Sequence, residues 1–312
     1  MKKSFFRTRE FTIFVVIVAM VIFFSVFSKR FLAPNNIKNI FLQMSAVGVA
    51  SIGMTLIIAT GGIDVSAGSI VGIVAAIIGK LILLKFPVYL AVLLGIIGGT
   101  LLGSVNGALV SYLGIPPIIV TLGMMSFLRS MVYNILGGKW ISTLPESIRW
   151  IGVGTILGIP VPIFILFVLL VYFTYFTRFR VTGRYIYAVG NSVEASIVSG
   201  VPVRKILFMV YTIGGFLYAI ACLIILGRAG VIQTNTGSGF ELQVIAATVL
   251  GGTSVLGGKG TVIGSFLGSL FVAVLSNGLI IMNVPALMEG LIIGSLILGS
   301  VVIDILRTRG EV

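Results

Sequence analysis

The sequence predicts an all-α membrane protein of about ten transmembrane helices, folded as a single polytopic domain over residues 1–312. Hydrophobic residues make up 58% of the chain and charged residues only 9%, whereas a soluble domain carries about 25% charged residues. The net charge of +13 is collected in short segments between apolar runs. That pattern is typical of cytoplasmic loops and contacts with lipid headgroups, so membrane lipid is the expected partner and nucleic acid is not.

Ten apolar windows reach or approach the length of about 20 residues that a membrane-spanning helix needs. The first, residues 11–27, follows a basic segment with Lys2, Lys3, Arg7 and Arg9. It is interpreted as a span and not as a signal peptide, because no small-residue cleavage site follows it. The other windows are residues 40–60, 66–84, 88–112, 117–137, 161–177, 207–228, 241–257, 261–283 and 286–304.

Basic residues predict the orientation of these helices. The N-terminus, the loop 178–206 and the C-terminal tail are all basic, so both termini and this loop are expected in the cytosol. Six predicted helices lie between the N-terminus and the loop, and four lie between the loop and the tail. Because both numbers are even, the loop and the tail lie on the same side of the membrane as the N-terminus. Lys29, Arg30 and Lys38 would lie outside and count against this topology. Residues 138–160 form the longest external segment, the natural contact for an external partner.

The two halves of the chain resemble each other in sequence. Residues 102–111 (LGSVNGALVS) are matched by residues 267–276 (LGSLFVAVLS). With five helices per half, about 1–160 and 161–312, the halves would have opposite orientations, which is the inverted repeat of many transporters. The alternative is that patterns of small residues recur by chance in membrane helices.

Seven polar residues are candidates either for the translocation path or for structure at helix ends. Asp64 and Glu241 each open a predicted helix, in the matching segments GIDV and GFEL. We favour a capping role for both carboxylates, with direct substrate contact as the alternative. The amides Asn106 and Asn277 are expected to face the interior of the bundle, because an amide in contact with lipid is costly. The full set is Asp64, Asn106, Gln233, Asn235, Glu241, Thr248 and Asn277.

Two further charged residues lie within apolar windows. Arg129 is expected to reach the membrane surface or to pair with Asp64 or Glu289. Glu289 has no obvious partner in the sequence.

The residue inventory excludes most catalytic chemistry. The chain has no histidine and one cysteine, Cys222, which argues against zinc catalysis, haem ligation by histidine and a Ser-His-Asp triad. The nearest approach to a phosphate-binding loop, residues 253–260, lacks the first glycine and the hydroxyl residue after Lys259. The chain is therefore expected to be no enzyme and to hold no metal or cofactor, and any ATP and Mg²⁺ would be bound by a partner.

The loop 178–206 is the longest polar interval and is interpreted as a cytosolic docking element. It carries several charged residues, and its small residues recur at helical spacing, which leaves room for another surface. The residues expected to couple to the docked partner are Arg184, Gly190, Asn191, Glu194, Ala195, Ser196, Ser199, Gly200 and Val201.

From about residue 40 to 306, the chain resembles permease subunits of bacterial ATP-binding cassette (ABC) importers for sugars, in the branch that handles ribose, arabinose, xylose and autoinducer-2. Four segments carry the resemblance: GGIDVSAGS (61–69), GRYIYAVG (183–190), GSGFEL (237–242) and LGGTSVLGGKG (250–260). The segment EASIVSG (194–200) is similar to the coupling motif Glu-Ala-Ala-x-x-x-Gly, with serine in place of alanine at the third position.

The resemblance implies a bacterial plasma-membrane protein with three kinds of protein partner. These are an ABC ATPase that receives a Gly190–Val201 coupling helix, a second permease copy, identical or not, and a periplasmic or lipid-anchored sugar-binding protein. Residues 183–260 are similar to ribose permeases, whereas residues 137–146 and 233–239 are similar to autoinducer-2 and rhamnose permeases, so the sugar stays open. A secondary transporter driven by an ion gradient is the alternative class, although the chain offers few paired intramembrane acids.

Overall fold

The computed structural model describes residues 9–309, apart from the side chains of residues 9, 286–287 and 303–309. Lys2, Lys3 and Arg7 of the predicted basic N-terminus lie outside the described residues. Within this range the helices are α1 (Arg9–Phe27), α2 (Pro34–Ala59), α3 (Ala67–Leu83), α4 (Val88–Ser111), α5 (Pro117–Leu136), α6 (Glu146–Val153), α7 (Val161–Phe179), α8 (Val181–Asn191), α9 (Val193–Val198), α10 (Val203–Ala229), α11 (Phe240–Leu250), α12 (Val262–Ile281) and α13 (Ala286–Arg309). A short antiparallel hairpin, β1 (Thr155–Ile156) and β2 (Ile159–Pro160), precedes α7.

The predicted all-α membrane fold is confirmed, and every predicted window contains a helix. Seven helices of the described region are long and apolar enough to cross a membrane. The three further apolar helices are shorter, at Ala67–Leu83, Phe240–Leu250 and Met288–Val302. The predicted window 241–257 extended too far, because the glycine-rich segment after Leu250 leaves the helix and forms a loop.

Two long helices, α2 and α10, form the centre of the bundle. In their most apolar windows 89% of the α2 residues and 67% of the α10 residues are buried, against 17–28% for α1, α4, α5 and α7. Helices α3, α4, α6 and α8 pack against α10, while α7, α11 and α12 pack against α2. The peripheral helices expose large apolar side chains, as expected of surfaces that face lipid.

Glycines on α4 allow its backbone to touch that of α10. Gly99, Gly103 and Gly107 follow one another every fourth residue and so share one helix face. A methyl group on Gly103 would overlap the carbonyl oxygen of Tyr211 and lie 2.8 Å from the Cα atom of Gly215. Small residues permit such close approach between helices in a membrane.

Hydrogen bonds define the two ends of the bundle. At one end the Thr261 hydroxyl donates to the Glu10 carboxylate (3.1 Å), and the Gly258 amide donates to the Ala59 carbonyl (3.0 Å). At the other end Ile141 and Ile232 form an antiparallel bridge. The start of α1, the end of α2 and the loop 251–261 therefore share one end, and the segments after α5 and α10 share the other.

Candidate functional site

Two interrupted helices meet inside the bundle. Helix α3 begins at Ala67, just after the fully buried residues Asp64 and Ser66. The segment before α11 runs down alongside α3, so that a methyl group on Gly72 would lie 2.9 Å from the Thr236 carbonyl oxygen. The first turns of α3 and α11 are consequently neighbours. Discontinuous helices of this kind are tolerated at membrane depth only where protein or a polar cavity surrounds them.

The irregular turn before α3, which we call the first interruption, is stabilised by hydrogen bonds between Asp64 and Ser66. One carboxylate oxygen of Asp64 accepts hydrogen bonds from the Ser66 amide (2.9 Å) and the Ser66 hydroxyl (2.6 Å). The side-chain amide of Asn106 on α4 donates to the same hydroxyl at 2.8 Å. All three residues are fully buried. Asp64 therefore orders the turn that precedes α3, and Asn106 faces the bundle interior.

Two tyrosines of α10 complete a buried cluster with these three residues, which we call the polar centre. Tyr211 and Tyr218 have no exposed surface, and Asp64 lies near enough to act electrostatically on both. Four oxygens of the cluster have no hydrogen-bond partner among the described residues: Asp64 Oδ2, Asn106 Oδ1 and the two tyrosine hydroxyls. Such groups are costly to bury unless something pairs with them. The polar centre can thus exchange hydrogen bonds with water or a polar solute.

The tyrosines were missed in the sequence because they lie in an apolar window. A spacing of seven residues, which places both on one face of α10, was the available signal.

Glu241 and Arg129 lie at the second interruption, which is the irregular segment before α11. One Glu241 oxygen accepts from the Gly239 amide (3.2 Å), and the other is buried without a hydrogen-bond partner among the described residues. Arg129 on α5 donates to the Thr236 carbonyl (3.0 Å) and interacts electrostatically with Glu241. The prediction that Arg129 pairs with Asp64 or Glu289 named the wrong acids, because the segment before α11 brings Glu241 to it instead.

Helix α5 is tied to both interruptions. The Thr121 hydroxyl donates to the Ile63 carbonyl in the turn before α3 (3.1 Å), and the Ser69 hydroxyl donates to the Met125 carbonyl (3.1 Å). Together with the bond from Arg129, these contacts connect α5 to the segments before α3 and α11.

Glu289, for which the sequence suggests no obvious partner, is hydrogen-bonded to two other helices. One of its oxygens accepts hydrogen bonds from the Gln243 side chain (3.0 Å) and the Ser276 hydroxyl (2.6 Å). A single carboxylate thus links α11, α12 and α13. Its partners could not be found in the sequence because they lie on two other helices.

The remaining candidates make other contacts. Asn277 and Asn36 exchange two reciprocal hydrogen bonds of 2.9 Å. Thr248 donates to the Val244 carbonyl of its own helix (2.8 Å). Gln233 is half-buried and Asn235 exposed, both in the segment before α11. Three of the seven polar candidates, Asp64, Asn106 and Glu241, lie around the first turns of α3 and α11.

The predicted coupling region consists of two helices, α8 and α9, and not of one continuous helix over Gly190–Val201. Ser192 adopts an extended conformation between them and caps α9 by accepting a hydrogen bond from the Ala195 amide (3.1 Å). Gly200, with a positive φ of 76°, ends α9, and the Val201 amide donates to the Ser196 carbonyl (2.9 Å). This is the Schellman ending that glycine favours. We call residues 181–201 the coupling segment.

The outer surface of the coupling segment is more apolar than its sequence suggested. Val198 is 89% exposed and Ile197 60% exposed, whereas Ser196 is buried. Gly190 faces inward against the end of α2. The other residues expected to couple are exposed or, for Val201, half-buried: Arg184, Asn191, Glu194, Ala195, Ser199, Gly200 and Val201. Ile197 and Val198 were missed because they occupy unspecified positions of the motif.

Within residues 9–309, no group of three or more histidine, cysteine or acidic side chains is arranged to hold a metal ion.

Comparison with known proteins identifies the family. Residues 36–301 match the family model described as branched-chain amino acid transport system / permease component. The ribose import permease protein RbsC of Haemophilus influenzae is 34% identical over 95% of this chain and 92% of its own length. The Escherichia coli K12 protein of the same name is 33% identical over 93% and 92%. The autoinducer 2 import system permease protein LsrC of Photorhabdus luminescens is 32% identical over 97% and 92%.

No solved structure matches the chain. The family match covers most of the sequence and the relatives align over nearly their whole length, in agreement with the resemblance carried by the motifs. The chain is a multi-pass membrane protein, and it belongs to the branched-chain amino acid transport system / permease component family.

Proposed function

We propose that this chain is the membrane-spanning subunit of an ABC importer for a monosaccharide, with ribose as the first candidate. The observation that carries the proposal is the similarity, over nearly the whole chain, to permeases named for ribose import in two bacteria. The chain catalyses no reaction itself and holds no cofactor. A separate ATPase binds ATP and Mg²⁺, a sugar-binding protein delivers the solute, and both termini lie in the cytosol of a bacterial plasma membrane.

The ATPase docks on the coupling segment in this proposal. Ile197 and Val198 form an exposed apolar tip, and Arg184, Arg204 and Lys205 are exposed at or next to the segment. An apolar centre rimmed by charged residues is the usual composition of a protein interface. The glycine ending of α9 fixes the angle at which this tip leaves the membrane domain.

A pair of aspartate variants tests the docking surface. Val198→Asp introduces a charge at the apolar tip and is expected to reduce co-purification of the ATPase by about tenfold or more, since an unpaired charge in an interface costs several kcal/mol. Leu157→Asp is the matched control, because Leu157 is also an exposed apolar residue (98%) but lies in the hairpin between α6 and α7, at the other end of the bundle. Equal loss in both variants, or none in Val198→Asp, would contradict the assignment.

Ten membrane crossings in two inverted halves of five are part of the proposal. The packing of the halves supports it: α3 packs on α4, α5 and α10, and α11 packs on α12, α13 and α2. These are equivalent neighbours if α2, α4 and α5 correspond to α10, α12 and α13. Asp64 and Glu241 then occupy corresponding places before the two shortened helices.

A second permease copy faces α5 in the proposed assembly. Ser126, Ser130 and Asn134 lie every fourth residue along an exposed face of this helix, and Gly123 has no neighbouring atom within 4 Å of where a methyl group would stand. Exposed polar groups on a membrane helix are better placed against protein or water than against lipid. The sugar would pass between the two copies along this face.

Uptake measurements distinguish the candidate functions. Cells that express the complete importer are supplied with labelled ribose, with autoinducer-2 and rhamnose as competitors, because relatives of this chain include an autoinducer-2 permease. We expect ribose uptake to stop on ATP depletion and to continue when the proton and sodium gradients are dissipated. The opposite dependence would identify a secondary transporter, and stronger uptake of a competitor would replace ribose as the substrate.

A further inference from the structure

Three stretches of backbone meet beneath the coupling segment with no side chain between them. The Gly258 amide donates a hydrogen bond to the Ala59 carbonyl at the end of α2 (3.0 Å). A methyl group on Gly190, near the end of α8, would overlap that same carbonyl oxygen and lie 2.5 Å from the Gly258 nitrogen. A methyl group on Gly257 would lie 2.8 Å from the Gly190 carbonyl oxygen and 3.0 Å from the Gly61 nitrogen. We call Gly190, Gly257 and Gly258 the glycine junction.

The two glycines of the junction that belong to the loop after α11 adopt backbone conformations that favour glycine. Gly257 and Gly258 have φ values of 86° and 71°, a region that residues with a Cβ atom rarely adopt. The side chain of Asn191 lies over Gly258, where its amide oxygen would overlap an added methyl group. At Gly190 and Gly257 the junction is therefore a direct contact between main chains, and at Gly258 the Asn191 side chain also lies against the backbone.

The junction joins the coupling segment to both interrupted helices. On one side, Ala59 and Gly61 lie at the end of α2, and the polar centre begins at Asp64. On the other side, Gly257 and Gly258 belong to the loop that follows α11. A shift of α8 would press on the end of α2 and on this loop together. Packed backbones of this kind move as rigid units.

We infer that Gly190, Gly257 and Gly258 are positioning residues for transport. They pass a displacement of the coupling segment to the turn that holds Asp64 and to the loop after α11, so that ATP-driven movement alters the polar centre. The inference rests on the proposed function, since it requires an ATPase to act on α9.

Close glycine packing by itself would not produce coupling, and the structure contains a control for this. At the opposite end, a methyl group on Gly152 of α6 would overlap the backbone of Gly227 and Arg228 on α10. Gly152→Ala therefore introduces a clash as severe as Gly190→Ala, but far from the coupling segment. If the glycine junction were packing alone, both variants would lower stability and neither would change the ratio of transport to ATP hydrolysis.

The test uses proteoliposomes that contain the complete importer with its ATPase and binding protein, and ribose as the probe. Ribose uptake and ATP hydrolysis are measured together, along with the amount of ATPase that co-purifies. For Gly190→Ala we expect normal co-purification and a fall in ribose uptake per ATP of about tenfold, within the usual range for coupling between two protein sites. For Gly152→Ala we expect a lower thermal unfolding temperature and an unchanged ratio.

A milder pair keeps the test decisive if Gly190→Ala does not fold. Gly258→Ala meets the end of the flexible Asn191 side chain and is expected to lower uptake per ATP less severely. Adding Asn191→Ala removes the obstructing atom, so the double variant should recover part of the loss. A purely structural defect would lower the unfolding temperature of Gly258→Ala without changing its uptake per ATP.

Three results would overturn the inference. If both junction variants co-purify normally with the ATPase and keep the wild-type ratio of ribose uptake to ATP hydrolysis, the inference about the glycine junction is refuted. The proposed function would be unaffected by that result. Equal uncoupling in Gly152→Ala would show that any tight glycine contact has the same effect. Failure of the wild-type chain to bind the ATPase would refute the proposed function, and the inference with it.

Discussion

Ser66 shows how a single hydroxyl can hold the first interruption together. It donates to Asp64 and accepts from Asn106, so that one oxygen links the turn before α3 to α4. In a low-dielectric interior each of these bonds is strengthened, and each unpaired group is correspondingly costly. Loss of the Ser66 hydroxyl would remove the partner of the Asn106 amide and would leave Asp64 Oδ1 with the Ser66 main-chain amide alone.

Replacing Ser66 by alanine is expected to destabilise the protein by about 1–3 kcal/mol, the usual cost of leaving a buried donor or acceptor unpaired. The measurement is the thermal unfolding midpoint of the purified protein in detergent. Ser130→Ala is the control, because Ser130 is exposed on α5 and its hydroxyl bonds only to the Ser126 carbonyl of its own helix (3.1 Å). Indistinguishable midpoints for the two variants would show that the hydroxyl does not support the polar centre.

Among the helices, the contact between α4 and α10 depends most clearly on glycine. Gly103 has the backbone of Tyr211 and Gly215 directly against it, whereas the neighbouring Gly98 has only the end of the Ile77 side chain within reach, at 3.2 Å from an added methyl group. Both glycines lie on one helix, so intrinsic helix preference is the same at each. Their surroundings alone distinguish them.

Gly103→Ala and Gly98→Ala should therefore have opposite effects on stability. At Gly103 the methyl group meets backbone that cannot move aside, and the expected cost is about 1–3 kcal/mol. At Gly98 the Ile77 side chain can move, and alanine is favoured over glycine in a helix by about 1 kcal/mol. Thermal unfolding of both variants provides the comparison, and a destabilised Gly98→Ala would argue against this account.

At the level of the whole molecule, the two ends of the bundle carry different functions in the proposal. The coupling segment presents Val198 at one end, and the hairpin presents Leu157 at the other. The chain has a single natural cysteine, Cys222, which is fully buried. Labelling of an introduced cysteine can therefore be measured against a low background.

Leu157→Cys should react with a membrane-impermeant maleimide in intact cells, because the hairpin is proposed to lie outside. Val198→Cys should react only after the cells are permeabilised. The unmodified chain, with Cys222 buried, is the background control. Labelling of Val198→Cys in intact cells would show that the coupling segment lies outside the cell. A cytosolic ATPase could then not bind to it.

The sequence alone determined the membrane class, the ten apolar helices and the family, because these depend on composition, on run length and on motifs that are local in the chain. It also located the polar segment between α7 and α10, since a polar interval between apolar runs is visible without coordinates. Boundaries near glycine clusters were less accurate: the α11 window passed beyond Leu250, and one helix was expected over Gly190–Val201, where Ser192 separates two.

Tertiary structure decided which polar groups meet. Glu289 finds Gln243 and Ser276 on two other helices, Arg129 lies near Glu241, and Tyr211 and Tyr218 join Asp64. None of these contacts has a local signal, because helices distant in sequence bring the partners together. The glycine junction has the same origin: in the sequence its glycines are turn and packing residues, and only the fold places three backbones in contact there.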